Sequence, residues 1–214
     1  PMLKVGSAPL GIYDSMNDGD LLGSYYQVYQ DSEGWLQEKK HDYLVPQVYW
    51  DIGSGPGDPD FSLLVERWQQ HANDRHIYVG IGAYKPEIMK EIPTQIDVTR
   101  LNKTAGQAYF RYDNIRNRGM FGNRYRALAN IPPMKWKDPV PPLPPTNLTV
   151  TETQPNVFHL EWTPGEVAVD GDRAYYYNIY RWTSENIPFN DPSTIAAITA
   201  TDANVFVDTL VSPV

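Results

Sequence analysis

Short apolar runs alternate with segments of helical spacing over the first 130 residues of the chain. The apolar runs read LKVGSAPLGIY, YLVPQVYW, HIYVGIGAY and GQAYFRY, and each is typical of a strand. Between them, apolar side chains recur every three or four residues, most clearly at Phe61, Leu64, Val65 and Trp68. The pattern predicts four helices, over about 24–40, 60–72, 91–102 and 122–129.

This alternation of strands and helices predicts an α/β fold with a parallel sheet. We expect the strands at 43–50, 77–84 and 108–112 to be parallel neighbours with helices on one side. Four strand–helix units are half of the eight that close a (β/α)₈, or TIM-type, barrel. The sequence therefore predicts half of such a barrel over residues 1–130.

Proline dominates the next segment, IPPMKWKDPVPPLPP, which occupies residues 131–145. Proline lacks the backbone N–H that helices and central strands need, so the segment predicts an extended, semi-rigid interdomain linker. A P-x-x-P ligand for a partner's groove is the alternative interpretation.

Beyond the linker the apolar pattern changes to a period of two. Phe158, Leu160 and Trp162 alternate with His159 and Glu161, as in a strand with one buried face. Four similar stretches, separated by turn residues, give about five strands over residues 146–214. The pattern predicts a β-sandwich, although seven strands are expected for a complete one.

Composition narrows the function classes. The formal net charge of −8 argues against nucleic acid or an anionic membrane as the main partner, because phosphate binding needs clustered cations. Cysteine is absent, which excludes disulfides and zinc–thiolate sites, and the four scattered histidines predict no metal site. No apolar run reaches the roughly 20 residues that a membrane span needs. Aromatic residues make up 13% of the chain, and sugars pack well on aromatic rings.

The chain begins and ends within strand patterns. Unpaired strand edges attract partners, because buried backbone N–H and C=O groups must be matched. We therefore expect a fragment whose sheets are completed by the remainder of a longer parent or by another chain.

Several stretches together resemble the C-terminal half of a bacterial glycosyl-hydrolase-like family, the tenth of its series. They are KVGSAPLGIY, DYLVPQVYWDIG, IYVGIGAYK, EIPTQI and PPMKW, and the Pro-Gln-x-Tyr-Trp run at 46–50 is the most distinctive. The resemblance covers about residues 1–137 and implies strands five to eight of a TIM-type barrel. Residues 146–214 resemble an incomplete fibronectin type III module, in LTVTE, FHLEW and YNIYR.

The resemblance implies hydrolysis of glycosidic bonds in bacterial cell-envelope polysaccharide, with peptidoglycan glycan strands as the substrate class. It further implies an extracytoplasmic location and no cofactor. The family's acidic motif at the end of strand four lies upstream of Pro1, so we expect this fragment alone to be inactive. A non-catalytic carbohydrate-binding or scaffolding protein with a degenerate barrel is the alternative.

Glycoside hydrolysis generally uses two carboxyl groups, which a barrel places on the loops after its strands. Four carboxyl groups stand at such positions: Asp14, Asp51, Glu87 and Asp113. Asp51 follows an aromatic strand end directly and is the candidate catalytic residue, with a structural role in the Gly-rich turn as the alternative. The candidate substrate-binding residues, all at strand ends, are Tyr13, Gln47, Tyr49, Trp50, Tyr84 and Lys85.

Overall fold

The computed structural model of the chain describes residues 3–14, 23–53, 55, 58–116, 119–200 and 202–210. The chain divides into two compact units, unit 1 (Pro1–Tyr125) and unit 2 (Arg126–Val214). Unit 1 contains a parallel sheet with helices, and unit 2 contains antiparallel strands. The predicted combination of an α/β part with an all-β part is therefore confirmed.

In the part of unit 1 that the structure describes, four parallel strands form the sheet, and they pair in chain order. The strands are β1 (Gly6–Ser7), β2 (Tyr43–Leu44), β3 (His76–Ile81) and β4 (Gly106–Tyr109). The helices are α1 (Ser24–Val28), α2 (Ser32–Gln37), α3 (Phe61–Gln70), α4 (Pro86–Leu101) and α5 (Tyr112–Ile115), with a 3₁₀ turn at Gly119–Phe121.

Parallel pairing of the predicted strands is confirmed, although the paired segments are shorter than the apolar runs. Single parallel bridges join Gln47 to Leu10 and to Gly80, so β2 keeps contact with both neighbours beyond its last regular pair. Four parallel strands with helices between them are compatible with part of a TIM-type domain.

The core of unit 1 lies between this sheet and its helices. Alternate residues of β2 and β3 are buried, including Leu44, Ile77 and Val79, while Tyr43 and Tyr78 remain partly exposed. The buried set continues into the helices at Phe61, Leu64, Val65, Trp68, Ile88, Ile92 and Ile96. One face of the sheet therefore forms the apolar core, as the period-two pattern requires.

Helix α3 agrees with its prediction, since the Asp60 carboxylate accepts hydrogen bonds from Ser62 N at 2.8 Å and Leu63 N at 3.1 Å. Helix α4 begins five residues before its predicted start. Pro86 occupies its first position, where the missing N–H costs nothing. A second proline, Pro93, lies inside the helix.

The predicted helix over 24–40 is wrong, because two short helices occupy the segment. Tyr29 adopts the left-handed conformation with φ of 56° and ends α1. Asp31 then starts α2, where its carboxylate accepts a hydrogen bond from Gly34 N at 3.0 Å.

The predicted helix over 122–129 is also wrong. Gly122 has φ of 56°, which interrupts helical geometry, and the segment forms turns. Two of its polar side chains instead form hydrogen bonds with α4 and β4. The Arg124 guanidinium donates to Asp97 at 2.9 Å, and the Tyr125 hydroxyl donates to Gln107 at 2.7 Å.

The described residues of unit 2 form five strands in two antiparallel sheets. The strands are β5 (Thr146–Gln154), β6 (Val157–Thr163), β7 (Asn178–Tyr180), β8 (Ile195–Ile198) and β9 (Val205–Thr209). One sheet has the order β5-β6-β9 and the other pairs β7 with β8. The Trp162 ring is buried and lies 5.3 Å from the Tyr177 ring. All five predicted strands are confirmed.

Strand β5 is irregular at both ends. Its register against β6 shifts between Thr146 and Thr149, where Asn147 has φ of 53°, and again between Glu152 and Gln154. Such shifts are β-bulges, which twist a strand and interrupt its pairing.

Within the part of the chain that the structure describes, no helix combines the length and the apolar character that crossing a bilayer requires.

Candidate functional site

Three aromatic rings meet where the parallel strands of unit 1 end. The ring centroids of Tyr49, Tyr84 and Phe110 are 6.0–6.1 Å apart in every pairing. Tyr49 and Phe110 are stacked, and Tyr84 meets both edge-on. These residues follow β2, β3 and β4, so adjacent strands carry them to one edge of the sheet. We call Tyr49, Tyr84 and Phe110 the aromatic cluster.

The aromatic cluster is accessible from outside unit 1. Tyr84 is 47% exposed and Phe110 is 53% exposed, whereas Tyr49 is half-buried. Burial, followed by the proximity of Tyr84, raises the pKa of the Tyr49 phenol above its ordinary value, so this hydroxyl remains a hydrogen-bond donor. The aromatic cluster therefore presents the exposed rings of Tyr84 and Phe110 together with the Tyr49 hydroxyl.

Phe110 was missed among the sequence candidates. The apolar run GQAYFRY contains it, but the run alone does not show where pairing stops. Pairing stops at Tyr109, and Phe110 then extends the sheet edge through its N–H, which donates to Ile81 O at 2.9 Å. The signal was an aromatic residue at the end of the fourth strand, in the same place as Tyr49 and Tyr84 on theirs.

Gln47 lies in the segment that follows β2 and, like Tyr49, is half-buried. Its side-chain Nε2 donates to Ala8 O at 2.9 Å, which satisfies part of the amide. Burying an amide without such a bond would be costly. This amide therefore also joins β2 to the chain next to β1.

Lys85 follows Tyr84 but its ammonium turns back towards the preceding strand. Its Nζ donates to the backbone oxygen of Tyr49 at 2.7 Å. The charge of Lys85 therefore lies beside the aromatic cluster and is engaged with backbone.

Trp50 and Asp51 complete the strand end. The Trp50 ring packs against the core and against Gly11, where an added Cβ would lie 2.9 Å from Cζ3. Asp51 is half-buried, and its backbone oxygen accepts the Phe61 N–H at 3.0 Å. Asp51 as a catalytic residue and Trp50 as a sugar platform stay predictions.

Tyr13 belongs to a separate polar group at the end of the first strand. Its hydroxyl donates to Asp31 Oδ1 at 2.7 Å, and the Arg67 guanidinium lies 6.0 Å from its ring centroid. Arg67 also pairs with Glu33 at 2.8 Å and with Asp14 at 3.3 Å. Asp14 is thus ion-paired, and its pairing connects the segment after β1 to α3.

The pKa of the Tyr13 phenol is raised above its ordinary value, first by burial and then by its bond to Asp31. A raised folded-state pKa gives stability that is complete below the unfolded pKa of about 10 and is lost as the pH rises above it. We expect Tyr13→Phe to lower stability at pH 8, by roughly 1 kcal/mol for the lost bond. The variant should then lose less stability than the wild type between pH 8 and pH 10.5. Urea unfolding at both pH values measures this difference.

Tyr29→Phe is the matched control, because Tyr29 is 88% exposed. It should follow the wild-type pH dependence. Identical alkaline losses in Tyr13→Phe and the wild type would contradict the prediction. Tyr49, Tyr109 and Tyr125 also have raised pKa values, so part of the loss should remain in every variant.

In unit 2, carboxylate oxygens of Asp138, Asp170 and Asp172 lie within 4.8 Å of one another. Asp170 and Asp172 are exposed, and Asp138 accepts a hydrogen bond from Val140 N at 3.2 Å. Three such oxygens could contact one hard cation. Exposed acidic groups often lie close together without an ion, and we assign no metal to these residues.

Comparison with known proteins connects unit 1 to carbohydrate enzymes. Residues 1–97 match the model of the glycosyl hydrolase-like 10 family. Glycosyl hydrolase YngK of Bacillus subtilis (strain 168) is 29% identical over 211 residues, which cover 85% of this chain and 40% of that protein. The family resemblance predicted from the sequence is therefore confirmed for residues 1–97.

Two further relatives match shorter parts of the chain. Glycosyl hydrolase DigH of Escherichia coli O6:H1 is 26% identical over 138 residues, covering 54% of this chain and 31% of that protein. The DigH protein of Escherichia coli K12 is 28% identical over 94 residues, covering 40% of this chain and 21% of that protein. The chain thus spans well under half the length of each of these relatives. Since 85% of the chain is more than unit 1 contains, the similarity to YngK extends into unit 2.

Proposed function

We propose that this chain forms part of the glycan-binding edge of a glycoside hydrolase that acts on bacterial cell-envelope polysaccharide. Peptidoglycan glycan strands are the proposed substrate class, and an extracytoplasmic location follows from that choice. One observation carries the proposal: three adjacent parallel strands end in the aromatic cluster, whose rings lie 6.0–6.1 Å apart. The similarity to proteins named glycosyl hydrolases supports the same assignment.

The chemistry of the edge suits a sugar chain. The C–H faces of pyranose rings pack on aromatic rings, and the exposed faces of Tyr84 and Phe110 are available for such contact. The neighbouring Tyr49 hydroxyl, with its raised pKa, supplies a hydrogen-bond donor for a sugar oxygen. Active sites of TIM-type enzymes lie at this end of the parallel strands.

Bond cleavage requires two carboxyl groups, about 5–5.5 Å apart for retention or roughly 6.5–9.5 Å apart for inversion. We assign Asp51 to one of them, because it lies two residues after Tyr49 in the segment that follows β2. The second is proposed to come from a part of the barrel beyond these 214 residues, either in a longer parent or in another chain. The isolated chain is therefore expected to bind glycan without cleaving it.

Unit 2 is proposed to be an incomplete fibronectin type III-like domain. Its five short strands in two antiparallel sheets support this, as does the buried Trp162 ring. Residues 131–145 are proposed as the semi-rigid linker between residues 1–130 and 146–214.

The second candidate is a non-catalytic carbohydrate-binding or scaffolding protein. Two of the four strand-end carboxylates are ion-paired, Asp14 with Arg67 at 3.3 Å and Asp113 with Arg111 at 3.4 Å. An ion-paired carboxylate is engaged with a side chain of unit 1, which favours a structural role over a catalytic one. A longer protein that contains this chain would bind glycan strands and leave them intact under this second function, and would cleave them under the first.

Glycan binding tests the proposal directly. Chitotetraose, a soluble chain of N-acetylglucosamine, is the probe, and isothermal titration calorimetry gives its dissociation constant. Tyr84→Ala should raise that constant by about 3- to 10-fold, the effect of one lost ring contact. Tyr175→Ala removes an exposed tyrosine from unit 2 and should change nothing. Absence of binding by the wild-type chain, or equal affinities of Tyr84→Ala and the wild type, would refute the proposal.

A further inference from the structure

Side chains from one helix hold three backbone groups of the segment that follows β2. Lys85, which caps α4, donates from Nζ to Tyr49 O at 2.7 Å. Gln95, inside α4, donates from Nε2 to Trp50 O at 3.0 Å. Glu91, between them on α4, accepts the Ile52 N–H at 2.9 Å. We call Lys85, Glu91 and Gln95 the α4 clamp.

The start of α3 holds two further backbone groups of the same segment. The Phe61 N–H donates to Asp51 O at 3.0 Å, and the Asp60 carboxylate accepts the Gly53 N–H. Regular pairing of β2 ends before this point, and the single bridges at Gln47 are its last sheet contacts. Helical elements therefore take over from strand pairing over residues 49–53.

Gln95 is the unusual member of the α4 clamp. It is 0% exposed and lies on the face of α4 that also buries Ile88, Ile92 and Ile96. Its Oε1 is buried and, among the described residues, has no hydrogen-bond partner. A buried amide with an unmatched oxygen destabilises a fold, and an apolar side chain of equal length would pack there without that cost. Core packing therefore does not account for a glutamine at this position.

The hydrogen bond from Gln95 holds the Trp50 carbonyl in place. It thereby also restrains the backbone of the two adjacent residues, Tyr49 and Asp51. Tyr49 contributes a ring to the aromatic cluster, and Asp51 is the carboxylate assigned to cleavage. A side chain keeps its place at a site when the backbone beneath it is anchored by further hydrogen bonds. Anchoring of this kind raises the affinity for a ligand, because the backbone loses less conformational entropy on binding.

We infer that the α4 clamp positions the glycan-binding edge, and that Gln95 is a positioning residue for Tyr49 and Asp51. The inference rests on the proposed function for the identity of the ligand. The anchoring itself is a property of the free protein, so it can be tested with and without glycan.

Gln95→Met is the decisive variant, because methionine keeps the length of glutamine and removes both polar groups. Hydrogen–deuterium exchange of the ligand-free chain should become about 5- to 10-fold faster over residues 49–53, the consequence of losing one hydrogen bond there. The urea midpoint should change little, because removing the unmatched Oε1 offsets the loss of the donor to Trp50 O. The dissociation constant for chitotetraose should increase by a similar 5- to 10-fold. Gln70→Met, the same change at an exposed position of α3, should alter none of the three.

Glu91 provides an independent pair of variants on the same segment. Glu91→Gln retains an oxygen that can accept the Ile52 N–H, and it should keep wild-type exchange over residues 49–53. Glu91→Met removes the acceptor and should accelerate exchange as Gln95→Met does. This contrast decides the inference even if Gln95→Met fails to fold.

The two proposals fail in different ways. Wild-type exchange over residues 49–53 in both Gln95→Met and Glu91→Met would overturn the positioning role, whatever the glycan result. Faster exchange in both variants, together with no chitotetraose binding by the wild type, would support the α4 clamp and refute the proposed function. Faster exchange with unchanged glycan affinity would also overturn the positioning role.

Discussion

Replacing Trp68 by alanine is expected to destabilise unit 1 by about 3–5 kcal/mol, the usual cost of removing a large core side chain. Trp68 is 1% exposed and lies in the middle of α3. Its indole Nε1 donates to Gly11 O at 2.7 Å, so the ring fills the core and also ties α3 to the chain beyond β1. A loss of this size is a large fraction of the stability of an ordinary domain.

Trp68→Phe separates the two contributions. Phenylalanine keeps much of the volume but leaves the buried Gly11 oxygen without its donor, which costs about 1–3 kcal/mol. Leu63→Ala is the control on the same helix, because Leu63 is exposed and its loss should change stability by less than about 0.5 kcal/mol. Urea unfolding followed by far-ultraviolet circular dichroism measures all three variants. Equal midpoints for Trp68→Ala and Leu63→Ala would contradict this description of the core.

Gly80→Ala is expected to destabilise unit 1 by about 1–3 kcal/mol, and it should weaken glycan binding as well. A Cβ at Gly80 would lie 2.7 Å from Pro46 O and 3.3 Å from Gln47 Cα. Both atoms belong to the backbone of the neighbouring strand segment, which cannot rotate away as a side chain can. Relief of the overlap requires β2 and β3 to separate, a typical cost of overpacking. Separation would also move Gln47 and Tyr49, which follow directly on β2.

Gly119→Ala gives the matched control for this substitution. Apart from its chain neighbours, no heavy atom of the described residues lies within 4 Å of the position that its Cβ would occupy, so the change should be nearly neutral. Thermal unfolding and the chitotetraose dissociation constant should be measured for both variants. A Gly80→Ala protein as stable as Gly119→Ala would show that the two strands are not in such close contact.

The α/β architecture was predictable because it follows from repeated local patterns. Helix α3 shows the reason, since its buried residues recur at helical spacing and Asp60 marks its start. The same reasoning failed over residues 24–40, where apolar spacing continues through Tyr29 although the backbone turns there. The left-handed turn at Tyr29 and the Asp31 cap divide that segment into two helices. The spacing of apolar residues contains no sign of either feature.

The candidate site was predictable to the extent that it follows strand ends. Tyr49 and Tyr84 were identified as aromatic residues near the ends of two apolar runs, and the sheet brings them together. Phe110 was missed because the residue at which β4 ends depends on its pairing with β3, which the run GQAYFRY alone does not show. Gln95 and Glu91 carry no local signal at all, since their partners lie 39–45 residues earlier in the chain. Such contacts exist only once the helix has packed on the sheet.

The bulges of β5 affect how the protein should behave at high concentration. β5 is the outer strand of its sheet among the described residues, and all nine of its positions are exposed. A smooth edge of that length would be a template for intermolecular strand pairing and precipitation. The register shifts leave only the stretch from Thr149 to Glu152 regular, and that stretch ends in a carboxylate. The irregular geometry at Asn147 and near Gln154 therefore acts as a safeguard of solubility, and straightening β5 would remove it.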